Sequence, residues 1–319
     1  MGPPDVSVLI VTYECRDVAR DCLRSVVETS GALSTEIVVA DNASTDGTVE
    51  MIRSELPQVK LVALEDNVGF AAGVNRAAAA ARGEFLLLLN PDTVVHPGAI
   101  GHLVDFARRH PAYGLYGGRT LDPDGTVNPG SCWGKPTLWS TFCFATMLSS
   151  AFKRSPIFDP ESLGHWQRDA VREVDIVTGC LLLVRRSLWD ELGGLDERFF
   201  MYGEDADLAL RATRLGLRHV ITPDAVVTHE IGVSSSSRAD KLILLYRGKA
   251  TLIRKQWPAG KRELGLGLLW LGIGLRTLLA TVARSSDETG TGAAKWKPVW
   301  RARRSWLEGY PETTAAQSR

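Results

Sequence analysis

The sequence predicts an α/β protein with a mostly parallel central sheet, helices on both of its faces, and a helical C-terminal extension. Three observations predict it. Short β-branched or wholly apolar runs alternate with helical patterns over the first ninety residues, and the connections between them are short. Beyond residue 237 the alternation gives way to long helical periodicity with a basic bias. The 319 residues, 45% hydrophobic and 23% charged, can bury a sizeable core and suggest one large unit or two unequal ones.

The elements follow in order. Val6 to Thr12, Val-Ser-Val-Leu-Ile-Val-Thr, is a first strand, and Val18 to Thr29 places apolar residues at helical spacing. Glu36 to Ala40 is a second strand; Asp41-Asn-Ala-Ser-Thr-Asp-Gly47 then supplies turn and N-cap residues for a helix from Thr48 to about Leu56. Lys60 to Leu64 is a third strand, alanine-rich Gly69 to Ala81 its crossover helix, and Phe85 to Leu89 a fourth strand, fully apolar as a strand buried on both faces must be.

After His96 the pattern loosens. A helix over His102 to His110, a short strand over Leu115 to Gly118 and a loop or hairpin over Asp122 to Gly134 are expected. Lys135 to Val171 shows aromatics and prolines without periodicity, which reads as a mobile cover over a site. Order returns at Val174 to Val184, with helices over Ser187 to Leu192 and Ala206 to Leu215 and strands over Val220 to Thr222 and Val226 to His229. The serine run Ser234 to Ser237 marks a boundary, giving a catalytic domain over 1–237 (nucleotide-binding half about 1–95, acceptor-side half about 96–237) and a C-terminal region over 238–319.

That region opens with a basic helical pattern, Lys241 to Gln256. Leu264 to Ala283 is then an apolar stretch long enough to cross a bilayer, but interrupted by Arg276, with Gly265, Gly272 and Arg276 on one helical face and Lys261, Arg262 and Arg284 at its flanks. A shallow or re-entrant helix suits this pattern; a helix packed on the catalytic domain or on another subunit, with homo-oligomerisation, is the plainer alternative. The net charge of zero hides a polarity: residues 238–319 hold 16 Lys and Arg against 6 Asp and Glu, whereas residues 1–237 hold 21 against 31. An anionic membrane surface is the expected partner of the tail, and no nucleic acid is expected.

Cys15, Cys22, Cys132, Cys143 and Cys180 are odd in number and form no Cys-x-x-Cys pair, so neither a disulfide framework nor a zinc site is expected. The N-terminal Met-Gly-Pro-Pro-Asp lacks the basic start and apolar stretch of a signal peptide. Both features point to the cytoplasm, and the tail over 238–319 to a peripheral position at the cytoplasmic face of the cell membrane.

Several segments carry chemistry, each with a plainer reading beside it. Thr12-Tyr13 and Asp41-Asn42 end two adjacent strands and can face a base and ribose, Asp41 accepting hydrogen bonds; alternatively Asp41, Ser44 and Asp46 only cap a turn and helix. Asn67-Val-Gly69-Phe70 opens a helix and can bring backbone close to a nucleotide, but it is neither a dinucleotide fingerprint nor a phosphate loop. Asn90-Pro91-Asp92 sets a carboxylate beyond a strand's carboxyl end, where a diphosphate can be neutralised by Mg²⁺ or Mn²⁺; His229 either completes the coordination or is structural. Glu204, Asp205 and Asp207 can cap a helix, yet the aromatic run Phe199 to Tyr202 before them creates a setting in which a carboxylate is desolvated enough to act as a base.

Taken in order, Val11-Thr12-Tyr13, Asp41-Asn-Ala-Ser-Thr-Asp46-Gly, Asn67-Val-Gly-Phe70, Asn90-Pro-Asp92, Thr178-Gly179-Cys, Gly194-Leu-Asp-Glu-Arg-Phe-Phe, Glu204-Asp205 and His229 resemble glycosyltransferase family two, and most of all its bacterial rhamnosyltransferase-like branch. The likeness spans about residues 5 to 230. It implies a GT-A nucleotide-diphospho-sugar transferase fold, a nucleotide-sugar donor and inverting transfer. By that resemblance Thr12, Tyr13, Asp41, Asn42, Asn67, Gly69, Phe70, Asn90 and Asp92 bind the donor; Thr178, Gly179 and Tyr202 line the acceptor side; Asp92 and His229 hold the divalent cation. Asp205 takes the base position with Glu204 beside it. Asn90 replaces the first acid of the family's Asp-x-Asp motif. The donor expected is dTDP-β-L-rhamnose and the acceptor a polyprenyl-diphosphate-linked glycan in cell-envelope polysaccharide assembly. Alternatives are another donor, UDP-galactofuranose or UDP-N-acetylglucosamine, or a silent sugar-binding scaffold subunit.

Overall fold

The computed structural model describes residues 2–29, 31, 33–230, 237–282 and 293–312. Two compact units share the chain: Met1–Trp133, Trp166–Asp196 and Asp205–Ser235 make the first, and Gly134–His165, Glu197–Glu204 and Ser236–Arg319 the second.

In the first unit, β1 (Val6–Thr12), α1 (Arg16–Thr29), β2 (Thr35–Asp41), α2 (Thr48–Glu55), β3 (Lys60–Ala63), α3 (Phe70–Ala80) and β4 (Phe85–Leu89) match the sequence-based elements to within two residues. The unit continues with β5 (Thr93–Val95), α4 (Ala99–Arg109), β6 (Tyr113–Leu121) and β7 (Cys132–Trp133), and resumes after the excursion into the second unit with β8 (Arg172–Val174), β9 (Ile176–Val177), β10 (Leu181–Arg185), α7 (Arg186–Leu192), α8 (Glu204–Arg214, whose first residue is counted with the second unit) and β11 (Arg218–His229).

The sheet runs β3-β2-β1-β4-β10-β6-β11-β5, with β8 also on β11. Strands β1 to β4 are parallel and β10 enters antiparallel between β4 and β6. Because β2 lies on one flank of β1 and β4 on the other, successive connections leave in opposite directions, and the carboxyl ends of β1 and β4 border the crevice where open α/β sheets bind ligands. Register fixes what faces it: Thr12 lies opposite Asp41, and Leu181 opposite Leu89, so Thr178 to Cys180 arrive at the carboxyl end of β4. Under the sheet, Val8, Ile10, Leu87, Leu89 and Leu183 pack on Leu23 and Val26 of α1 and Leu103 and Val104 of α4.

Three expectations change. The two strands over 220–222 and 226–229 are one strand, β11, whose register against β6 shifts between Ile221 and Val226. Pro223, lacking an N–H, interrupts the ladder without ending the strand. A Cβ at Gly118 would collide with the carbonyl of Ala225, so only glycine lets β6 follow this bulge. Strand β5 was not foreseen: three residues carry no local signal and form a strand by pairing with β11. The stretch over 174–184 divides among β8, β9 and β10, which pair with β11, β7 and β4 respectively.

In the second unit, α5 (Leu138–Ala145) and α6 (Leu148–Ala151) join α9 (Arg238–Gln256), α10 (Ala259–Val282), α11 (Ala293–Arg301) and α12 (Arg303–Glu308). The expected aperiodic cover over 135–171 is therefore corrected. Thr137 and Ser140 form a reciprocal capping box that starts α5, and Trp139 donates to the carbonyl of Ile157 at 2.7 Å. Tyr246, Ala250, Ile253, Leu269, Ile273 and Trp306 form this unit's core. Gly265, Gly272 and Arg276 do share a face of α10, and that face is buried. Arg276 donates to the carbonyls of Phe144 (2.7 Å) and Gly272 (3.0 Å) and to Ser150 Oγ (3.2 Å), with its guanidinium 3.8 Å from the Phe144 ring centroid. Of the boundary run, Ser234 to Ser236 lie outside the described residues, as does Arg284; Ser237 caps α9 by accepting from Asp240 N.

Candidate active site

At the carboxyl end of β1 and β2, Asp41 is fully buried. Its carboxylate accepts from Thr12 Oγ1 (2.7 Å), Ser44 Oγ (2.7 Å) and Ser44 N (2.8 Å). This welds the two strand ends to the loop that follows. Asn42 donates to the carbonyl of Gly69 at 3.2 Å and is itself buried, while its Oδ1 has no hydrogen-bond partner among the described residues. Asp46 plays the plainer role: it accepts from Thr48 N and Oγ1 at the start of α2 and from Arg16 N at the start of α1. Tyr13, just beyond β1, is half exposed.

The glycine-bearing segment enters α3 through Gly69, whose φ of 86° and ψ of 177° suit only glycine. Asn67 Oδ1 accepts from Gly69 N at 3.0 Å and holds that turn. Phe70 packs against Gly179, where an added Cβ would lie 3.4 Å from the ring.

Beyond β4, the Asn90 carbonyl accepts from Thr93 Oγ1 (2.7 Å) and Cys22 Sγ (3.4 Å), and Asn90 N donates to the Cys180 carbonyl (3.4 Å). Pro91 stiffens the turn so fixed. Asp92, on that turn, sets Oδ1 3.0 Å from His229 Nε2 at the end of β11, and Glu230 N donates to the Asp92 carbonyl (2.8 Å). Both side chains keep partial solvent access. Among the described residues no three His, Cys, Asp or Glu side chains converge into a closed metal cage. One carboxylate and one imidazole nonetheless fit a cation that takes most of its ligands from diphosphate oxygens and water.

Asp205 lies near the start of α8. Gly179 N donates to its Oδ2 (3.3 Å) and Ala206 N to its Oδ1 (2.7 Å). Burial pushes its pKa up against the pull of those two backbone donors. The Cys180 thiol, raised foremost by burial, also feels the charges of Asp205 and Asp92, so both carboxylates act on one point of the sheet edge. Thr178 is otherwise engaged: its hydroxyl donates to the Ser131 carbonyl and lies 3.0 Å from Cys180 Sγ.

Tyr202 and Glu204 belong to the second unit. Glu204 is buried, and Tyr202 takes a left-handed φ of 69° where its carbonyl abuts Gly248.

Two positioning groups escaped the sequence reading. Asn75 brackets Leu195 with both ends of its amide, donating to the carbonyl (2.8 Å) and accepting from the N–H (3.0 Å). Arg211 joins Asp207 Oδ2 (2.7 Å) to the carbonyls of Leu192 (2.7 Å) and Gly194 (2.8 Å). Asp207 is thus half of a largely buried ion pair. The four-residue spacing of Asp207 and Arg211 was the available signal; the Asn75 contact spans 120 residues and had none.

The chain resembles known glycosyltransferases. The family model for glycosyl transferase family 2 matches residues 7–163. An N-acetylglucosaminyl-diphospho-decaprenol L-rhamnosyltransferase of Mycobacterium tuberculosis is 36% identical over 207 residues, 60% of this chain and 66% of the relative. The O-antigen biosynthesis protein RfbC of Myxococcus xanthus is 31% identical over 76% of this chain, which spans 18% of that much longer protein. Among solved structures, the mannosyltransferase PcManGT from Pyrobaculum calidifontis, in complex with GDP-Man and Mn²⁺, aligns at a TM-score of 0.55 and 20% identity, covering 97% of this chain and 86% of that one.

The sheet order and the structural likeness define a GT-A fold, a form of the doubly wound α/β architecture. The chain belongs to glycosyl transferase family 2.

Proposed function

We propose that the protein is an inverting glycosyltransferase that moves L-rhamnose from dTDP-β-L-rhamnose to a hydroxyl of a polyprenyl-diphosphate-linked, N-acetylglucosamine-bearing glycan in the cytoplasm. The observation that carries the reading is Asp205: a carboxylate held by two backbone donors and pushed up by burial, on the same sheet edge as the Asp92 and His229 pair. The rhamnosyl donor and lipid-linked acceptor are supported by the activity of the mycobacterial relative.

Thr12, Asp41 and Asn42 shape the floor for the nucleoside, Tyr13 stacks on it, and Asn67, Gly69 and Phe70 bring backbone close to it. Asp92 and His229 would hold Mg²⁺ or Mn²⁺, which would neutralise the charge of the leaving diphosphate. Asp205 accepts the acceptor hydroxyl's proton as its oxygen bonds to the anomeric carbon; the bond to the diphosphate breaks on the opposite face and its electron pair leaves with the nucleotide. One displacement inverts the centre, and the β-donor gives an α-L-rhamnoside. The raised pKa of Asp205 makes it a stronger base than an exposed aspartate and brings it closer to the working pH.

The test offers the full-length protein a decaprenyl-diphosphate-linked N-acetylglucosamine with dTDP-β-L-rhamnose, UDP-galactofuranose or UDP-N-acetylglucosamine, and reads products by mass spectrometry. A deoxyhexose added from the dTDP sugar supports the proposal. Addition from a UDP sugar alone replaces the donor, and donor binding without transfer or hydrolysis in any arm replaces the enzyme with a scaffold.

A further inference from the structure

The second unit presents an apolar surface that its own core does not use. Along α10, Leu264, Leu271, Leu278 and Val282 recur at i, i+7, i+14 and i+18, and are 53%, 40%, 58% and 71% exposed. At 100° per residue they fall within about 40° of one another on the helix surface. The opposite face is spent on the unit itself: Gly272 packs on Phe144 and Ala145, and Arg276 is tied to Phe144 and Ser150. Trp270, on the same helix, is 42% exposed and lies 5.2 Å from the Trp300 ring, tilted at 48° to it; Trp300 carries the Arg303 guanidinium 5.0 Å from its ring.

We propose that this face of α10 seats the protein in the plane of an anionic lipid leaflet, with the leucines in the acyl boundary and Trp270 at headgroup level. Length and composition alone would let α10 span a bilayer. Its surroundings do not suit a span. The helices packed against it are the eight-residue α5, the charged α9, the basic α11 and the six-residue α12, and none can accompany it through hydrocarbon. The alternative occupant, a second copy of the same face, would bring together two tails that each carry 16 basic and 6 acidic residues. An anionic surface is instead attracted by them, Lys261 of α10, Arg301 of α11 and Arg304 of α12 being exposed.

This deepens the acceptor side of the proposed function, yet its test needs no turnover. Full-length protein is floated with vesicles of phosphatidylcholine alone or with 30% phosphatidylglycerol, at low and at high salt. Flotation is expected only with the anionic vesicles, weakened by salt, and released by alkaline carbonate as a spanning helix would not be. Leu271→Glu with Leu278→Glu, both at exposed positions, should cut the bound fraction about tenfold. The variant's circular dichroism, melting temperature and donor hydrolysis should match the parent's, so that a folding defect is separable from lost docking. Resistance to carbonate, equal flotation by the double variant, or a dimer by light scattering that the leucine changes dissociate while vesicles do not compete for it would each overturn the proposal. Absence of sugar transfer by a protein that still floats would remove the proposed function and leave the seat standing.

Discussion

His229 Nε2 stands 3.0 Å from Asp92 Oδ1 although 137 residues separate them. Thr93 and His229 are partners in the β5 to β11 ladder, so the three residues of β5 fix the distance between the turn after β4 and the last residue of β11. Two side chains that would share a cation are brought together by a strand too short to announce itself.

Asp92→Ala should weaken metal-dependent donor binding at least about tenfold, and His229→Ala by less, because the carboxylate supplies the charge. Calorimetry with dTDP-β-L-rhamnose in Mn²⁺ and in chelator reads both. Equal donor affinity with and without metal in the parent would remove the cation from this pair.

Replacing Asp205 with Asn should lower transfer by about 10² to 10⁴-fold while donor affinity stays within a few fold, since the amide keeps shape but cannot take the acceptor proton. A variant that turns over near the parental rate would leave Asp205 a structural residue.

The raised pKa of Asp205 sets two pH dependences. Transfer should fall as pH drops through that value, because only the ionised carboxylate serves as base. In stability the folded state holds this proton more tightly than the unfolded chain, whose pKa is near 3.8, so the parent loses stability as pH rises through the window between the two. The melting-temperature difference between Asp205→Asn and the parent should therefore move in the variant's favour from pH 3 to pH 7. A difference independent of pH would contradict the assignment.

Thr12→Val keeps the shape of a buried strand residue but removes the donor to Asp41. A buried carboxyl group that loses one hydrogen bond should cost about 1–3 kcal/mol, visible in chemical denaturation. Nucleotide binding should weaken with it, because the same carboxylate holds Ser44 and the loop after β2.

Arg276→Leu tests the interior of the second unit. The substitution leaves the Phe144 carbonyl without the donor it has at 2.7 Å, and about 1–3 kcal/mol should be lost. An unchanged melting temperature would mean that the arginine is not the tie between α10 and α5.

The sequence by itself determined the β1 to β4 half of the first unit. Each of β1 to β4 and the helices between them is written in a local window, apolar runs against 3.6-residue periodicity, and the parallel order follows because short connections through helices permit little else. The ordered motifs carried the family, and the edge positions of Asp41 and Asp92 followed from their places at strand ends. Tertiary structure alone decided the rest. That Gly179 N meets Asp205, that Asn75 holds Leu195, that one strand runs through Pro223, and that residues 138–151 are helices of the second unit all rest on contacts between distant segments. The orientation of α10 is the clearest case. Its composition is that of a bilayer span, but the hydrogen bonds that Arg276 makes to residues more than a hundred positions earlier bury one face and leave the leucines of the other outward. Local periodicity states which faces are apolar; only long-range packing states which of them is covered.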